Sequence, residues 1–147
     1  MSDLNDEDFV LWTEQQATLL RRRAAGELVN DAELDWQNLA EEIEAVGGNT
    51  RRELRHRLAR LLQHLLKWHY QPERRSRSWR ATIRTQRQEI EDLLADNTSL
   101  RAKLPEFFAV AFPRARADAL EETGLLGLPE VLPFTIEQAL SEQLPDE

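Results

Sequence analysis

Apolar residues recur along most of this chain at intervals of three and four, the spacing that lines one face of an α-helix. A first helix is predicted from about Glu7 to Ala25, with Phe9, Trp12, Leu19 and Leu20 on one face and Gly26 as its stop. A second carries Trp36, Leu39, Ala40, Ile43 and Val46 in a stripe that Gly47-Gly48 ends. The third opens with Thr50-Arg51-Arg52-Glu53, a capping box in which the two side chains satisfy free backbone amides. Its apolar seam is Leu54, Leu58, Leu61, Leu65 and Trp68, and Gln71-Pro72 breaks it. A fourth starts near Ser76 and turns Trp79, Ile83, Ile90, Leu93 and Leu94 inward.

Beyond a cap at Asn97 or Thr98, Leu100, Leu104, Phe107, Phe108, Val110, Ala111 and Phe112 continue the helical pattern. Pro105 and Pro113 are its joints, and Gly124 releases it. The segment from Gly124 to Phe134 reads as an apolar strap, and Thr135-Ile136-Glu137-Gln138 caps a short last helix. The four tryptophans, Trp12, Trp36, Trp68 and Trp79, fall one per helix on the inward faces, so one shared interior is expected. The fold class is all-α: a single-domain bundle of five to seven helices over residues 1–147 with an irregular C-terminal strap.

Composition narrows the chemistry more than the fold. There is no cysteine, which excludes disulfides and thiolate catalysis and suits a reducing cytoplasm. No run approaches the ~20 apolar residues of a membrane span. The net charge of −8 conceals a segregation. Residues 1–50 sum to −9, residues 51–87 to +10 and residues 88–147 to −9. Seventeen of the nineteen basic residues are Arg, which fits either the two-pronged recognition of a planar fork or a codon bias of the source genome, and partner arguments take the three segments separately.

Catalytic signatures are missing: no glycine-rich phosphate loop and no nucleophile elbow occur. His56, His64 and His69 share one predicted helix, but His64 and His69 point about 140° apart and cannot hold one metal together. His69 reads as a satisfied core residue and His64 as an edge residue beside Trp68. Glu41-Glu42-Ile43-Glu44 lacks the Glu-x-x-His partners of a bundle metal site. Asp35 and Glu42 border the apolar stripe, where a basic side chain is expected to meet them. No cofactor is implied.

Arg77, Arg80, Arg84 and Arg87 recur at three and four and form a candidate basic stripe. On the preceding helix, Arg52, His56, Arg60 and Lys67 are placed opposite the leucine seam. Such stripes can follow a phosphate backbone, or remain solvated, or pair internally. Gln86 lies between Ile83 and Ile90 on an inward face and must find a hydrogen-bond partner. With Trp79, Thr82 and Arg75 it outlines a polar notch, more simply read as a network that fixes helix register.

The stretch from His64 to Arg75, then Ser78-Trp79-Arg80-Ala81-Thr82-Ile83 and Gln86-Arg87, resembles the core signature of a bacterial family catalogued as domain of unknown function 29. Asp8-Phe9 with Trp12, Leu39-Ala40-Glu41-Glu42-Ile43-Glu44 with Gly47, and Glu121-Glu122-Thr123-Gly124-Leu125 extend the likeness over about residues 6–140. His69 and Phe134 depart from it mildly. The resemblance implies an all-helical bacterial protein and brings no activity. It directs attention to His64, Lys67, Trp68, Gln71, Arg75, Ser78, Trp79, Thr82 and Gln86 as a candidate functional surface.

The expected function is a non-enzymatic helical interaction module that meets another bacterial protein, in a chain also compatible with homo-oligomers. The alternatives are nucleic-acid binding through residues 51–87, and a small-molecule or enzyme site in the notch around Trp79 and Gln86. An exposed apolar patch favours the first, a continuous positive surface the second, and a deep open notch the third.

Overall fold

Short polar side chains set where the helices begin. Asp8 accepts the amide of Leu11 at 3.0 Å, Ser76 accepts that of Trp79 at 3.1 Å, and Thr135 and Gln138 close a reciprocal capping box. In the computed structural model, which describes residues 4–141, these caps head α2 (Phe9–Ala24), α4 (Arg77–Asp96) and α6 (Ile136–Leu140). The short α1 (Leu4–Glu7), the long α3 (Trp36–Tyr70) and α5 (Leu104–Thr123) complete six α-helices, with no strand among the described residues. The all-α class expected from periodicity is the class observed.

Gly47-Gly48 does not end a helix. Two interior glycines cost about 2 kcal/mol relative to alanine, yet α3 runs 35 residues through them. Neither glycine adopts a positive φ. No proline interrupts 36–70, and continuing a helix is cheaper than nucleating a new one, which offsets the modest propensities of Val46, Asn49 and Thr50 beside the pair. Thr50 and Glu53 therefore lie inside α3 rather than at its start.

Contacts divide the chain into two compact units, Met1–Asn49 and Thr50–Glu147. The N-terminal unit has a small interior. Trp12, Gln16 and Leu34 are buried there, and Trp12 stacks on Phe9 with ring centroids 5.7 Å apart. The Gln16 amide donates to the Glu33 carbonyl at 3.1 Å and accepts the Asp35 amide at 2.8 Å, which fixes the turn entering α3. Asp35 accepts from the Trp12 indole at 3.0 Å and from Asn38 at 2.8 Å, so neutral donors stand where a basic group was expected. Those bonds, Asn38 first, hold the Asp35 carboxyl below its usual range.

The C-terminal unit holds the main core. Leu54, Leu58, Leu61, Leu62, Leu65 and Leu66 of α3 are fully buried, packed with Ile83, Ile90 and Leu94 of α4 and the aromatic and alanine face of α5. The leucine seam thus has the role its spacing implies. Pro113 sits within α5 without ending it, and Gly124, at φ 67°, closes the helix with its amide on the Leu120 carbonyl. Two arginines pin the segment beyond α5. Arg116 donates to the carbonyls of Pro129 and Leu128 at 2.9 and 3.2 Å, and Arg87 to those of Ala139 and Gln138 at 2.9 and 3.4 Å.

The four tryptophans do not share an interior. Trp68 is buried in the C-terminal core and Trp79 packs at its edge, while Trp12 belongs to the N-terminal unit. Trp36 is 51% exposed, and Ile43 and Val46 on the same stripe are 72% and 67% exposed. The stripe has helical spacing, but these three side chains stand mostly in water.

Candidate functional site

One turn of α3 places Gln63 and Lys67 four residues apart, so both reach the same neighbour. That neighbour is Glu122 near the end of α5. Lys67 Nζ donates to Glu122 Oε1 and Gln63 Nε2 to Oε2, each at 2.8 Å. The Lys67 ammonium also lies 4.7 Å from the centroid of Trp79 on α4. Lys67 is therefore buried, not opposite the leucine seam as its position suggested. The Lys67 hydrogen bond, with its charge and the Gln63 amide, holds the Glu122 carboxyl below the usual range against a partial desolvation that opposes it.

His64 is buried beside this group, with Nδ1 donating to the Arg60 carbonyl at 2.9 Å. Burial holds its imidazole below the ordinary value, and the Lys67 and Arg60 charges push the same way. The Arg60 carbonyl and Glu122 oppose them without reversing the downward shift. Chemically this is a buried histidine next to a paired cation and anion, and the pair with the Trp79 ring is a tie that joins α3, α4 and α5.

The rest of the candidate surface sorts into other groups. Arg75 donates through Nε to the Trp68 carbonyl at 2.9 Å and lies 4.9 Å from that indole's centroid, with Arg80 at 5.3 Å. Trp68, Arg75, Ser76, Arg77 and Arg80 line a recess of about 310 Å³ at the start of α4. Gln71 is buried, Thr82 half-buried and Ser78 exposed. Gln86, also buried, accepts from Arg57 Nη1 at 3.3 Å, and Arg57 pairs with Glu53 at 3.0 Å and Glu89 at 3.8 Å. The polar notch is thus divided: Gln86 belongs to the Arg57 network, whereas Arg75 turns to Trp68.

The basic stripe is divided too. Arg77, Arg80 and Arg84 lie toward solvent, but Arg87 is buried and spends its guanidinium on the carbonyls of α6. A second basic recess, about 250 Å³, is lined by Arg52, Arg55, His56 and Arg114 with Ala59, Val110 and Ala111. Among the described residues no three His, Asp or Glu side chains gather as a metal-ligand set, and no helix is long and apolar enough to cross a membrane.

Sequence reasoning missed Glu122 as the partner of Lys67 and Arg57 as the partner of Gln86. Nothing in local spacing signals a pair 55 residues apart. It also read the stripe of Trp36, Ile43 and Val46 as inward; its spacing was visible, its exposure was not.

The family model described as Domain of unknown function DUF29 matches residues 4–144. No curated protein and no solved structure matches the chain.

Proposed function

The chain belongs to this family of unknown function, and from that premise we propose that it is a non-enzymatic helical interaction module that binds another protein in the bacterial cytoplasm. The observation that carries the reading is the stripe of Trp36, Ile43 and Val46, each more than half exposed along one face of α3. Large apolar side chains in register on one helix face, left in water, mark a surface that another protein covers. The bacterial cytoplasm rests on the family resemblance and on a chain without cysteine.

The motif around Lys67 supports this division of labour. Most of its polar groups are spent on internal bonds, which favours a structural role there and leaves recognition to the N-terminal unit. The test is affinity capture from the native host with the wild-type chain and with Ile43→Ser/Val46→Ser. One protein retained by the first and lost by the second, with both chains equally folded, is the expected outcome. Identical sets of captured proteins would overturn the reading.

A further inference from the structure

The opening half of α3 raises two physical problems that the described residues do not solve. The first is the apolar stripe. The second is Gly47-Gly48, which weakens the helix and brings no close packing in return: a Cβ added at either glycine meets nothing within 4 Å. Gly47 follows Ala40 by two turns and Ile43 by one, so bare backbone lies alongside the exposed Ile43 and Val46. A surface with large side chains beside a flat strip of backbone suits a second helix laid against it at close range.

The charges around the stripe specify that helix. Glu42 is one turn from both Leu39 and Val46, and Glu44 is one turn from Ala40, so carboxylates border the stripe on both edges. Glu41 adds a third. None of the three makes an ion pair among the described residues. Residues 1–50 carry three Arg against twelve Asp and Glu, so a partner meets an acidic field before it meets the stripe.

We propose that the N-terminal half of α3 docks an amphipathic helix of another protein, one whose apolar face is rimmed by Lys and Arg. This rests on the interaction-module reading and names its partner class. A second copy of the chain fits less well. Pairing two such faces sets Glu42 and Glu44 against their like, at a cost of the kind that separates wrong partners from right ones. The basic segment of a second copy offers no apolar face either, because its Leu54, Leu58 and Leu61 are fully buried. An anionic bilayer meets the same acidic rim.

The probes are two synthetic 18-residue amphipathic helices, one of Leu and Lys and one of Leu and Glu, titrated by calorimetry against the full chain. The Leu/Lys helix is expected to bind, with affinity that falls as salt rises. Ile43→Ser/Val46→Ser should weaken it at least tenfold, Glu42→Gln/Glu44→Gln severalfold, and Leu126→Ser, exposed in the C-terminal unit, not at all. Circular dichroism checks that each variant folds. Leu/Lys binding untouched by Ile43→Ser/Val46→Ser means adsorption to acidic surface and overturns the proposal. Stronger binding of the Leu/Glu helix overturns the charge argument while the docking surface stands. Neither helix binding, with a wild-type dimer that Ile43→Ser/Val46→Ser dissociates, makes the occupant a second copy. Binding to phosphatidylglycerol vesicles, lost in that variant, makes it a membrane. If none of these bind and the chain stays monomeric, the interaction reading falls with the proposal.

Discussion

Lys67 and Glu122 form an ion pair whose two ends lie in different media. Their charged atoms are 2.8 Å apart, but the Lys67 side chain is 3% exposed and that of Glu122 is 50% exposed. Removing either member is therefore not equivalent. Without Lys67, Glu122 can hydrate; without Glu122, an ammonium remains under the Trp79 ring with no anion.

Glu122→Ala should accordingly destabilise more than Lys67→Met. About 1–2 kcal/mol is expected for Glu122→Ala, less than the 3–5 kcal/mol of a fully buried pair, because water screens the glutamate. Lys67→Met, which keeps the buried stem, should cost less than about 1 kcal/mol. Urea melts of both variants measure the order. The reverse order would mean that Lys67 matters for packing rather than for charge.

The same cluster sets a pH dependence with two windows. His64 has a depressed folded value, so below its ordinary value near 6.5 the unfolded chain binds a proton that the folded chain refuses. Stability should fall as pH drops from about 6.5 toward that depressed value, and stay level above. Glu122 is also depressed, so its contribution is present above its ordinary carboxylate range and is lost as pH falls through its folded value. His64→Gln should flatten the first window and leave the second. Urea midpoints between pH 8 and pH 5 decide it, and an unchanged slope in His64→Gln would remove His64 as the cause.

The tryptophans should respond unequally. Trp68→Ala opens a cavity in the leucine core and is expected to cost ~3–5 kcal/mol. Trp36→Ala removes a ring already 51% exposed and should stay within about 0.5 kcal/mol. Equal losses in urea melts would restore the shared interior that their placement, one per predicted helix, suggests.

That contrast shows what the sequence carries. Helix faces were legible, because apolar spacing follows helical pitch whatever lies opposite: Leu54 to Trp68 and Trp36 to Val46 have the same pattern. What lies opposite was not legible. One stripe meets α4 and α5, while Trp36, Ile43 and Val46 of the other remain mostly in water. The helix start near Ser76 and the cap at Thr135 were readable because capping acts within four residues. Thr50-Glu53 has the same letters but stands mid-helix, since a capping box works only where a helix starts. Lys67–Glu122 and Arg57–Gln86 join side chains from different helices, and local rules are silent on such pairs.

Arg84 and Arg87 test the same point within one stripe. Arg87→Met leaves the Ala139 carbonyl without its donor and should cost ~1–3 kcal/mol, loosening α6 before the rest of the unit. Arg84→Met, on exposed surface, should be nearly neutral. Amide exchange at Ala139 and Leu140 reports the difference. Equal protection in wild type and Arg87→Met would show that apolar packing alone holds α6.

The exposed arginines decide the nucleic-acid alternative. Phosphate binding releases condensed counterions, so affinity must fall steeply with salt, with a slope set by the number of phosphates neutralised. With Arg87 spent on α6, only Arg77, Arg80 and Arg84 of the stripe face solvent. The flanking segments, at −9 each, repel a phosphate backbone. Binding to DNA or RNA is therefore expected to be weak and to vanish near ~0.15 M salt, well short of what six to ten phosphate contacts provide. Replacing Arg77, Arg80 and Arg84 by Gln should lower both the affinity and the salt slope without altering folding. Submicromolar binding at that salt, lost in the triple variant, would set nucleic acid above protein as the partner, because no solvated or internally paired face holds a polyanion against that much counterion.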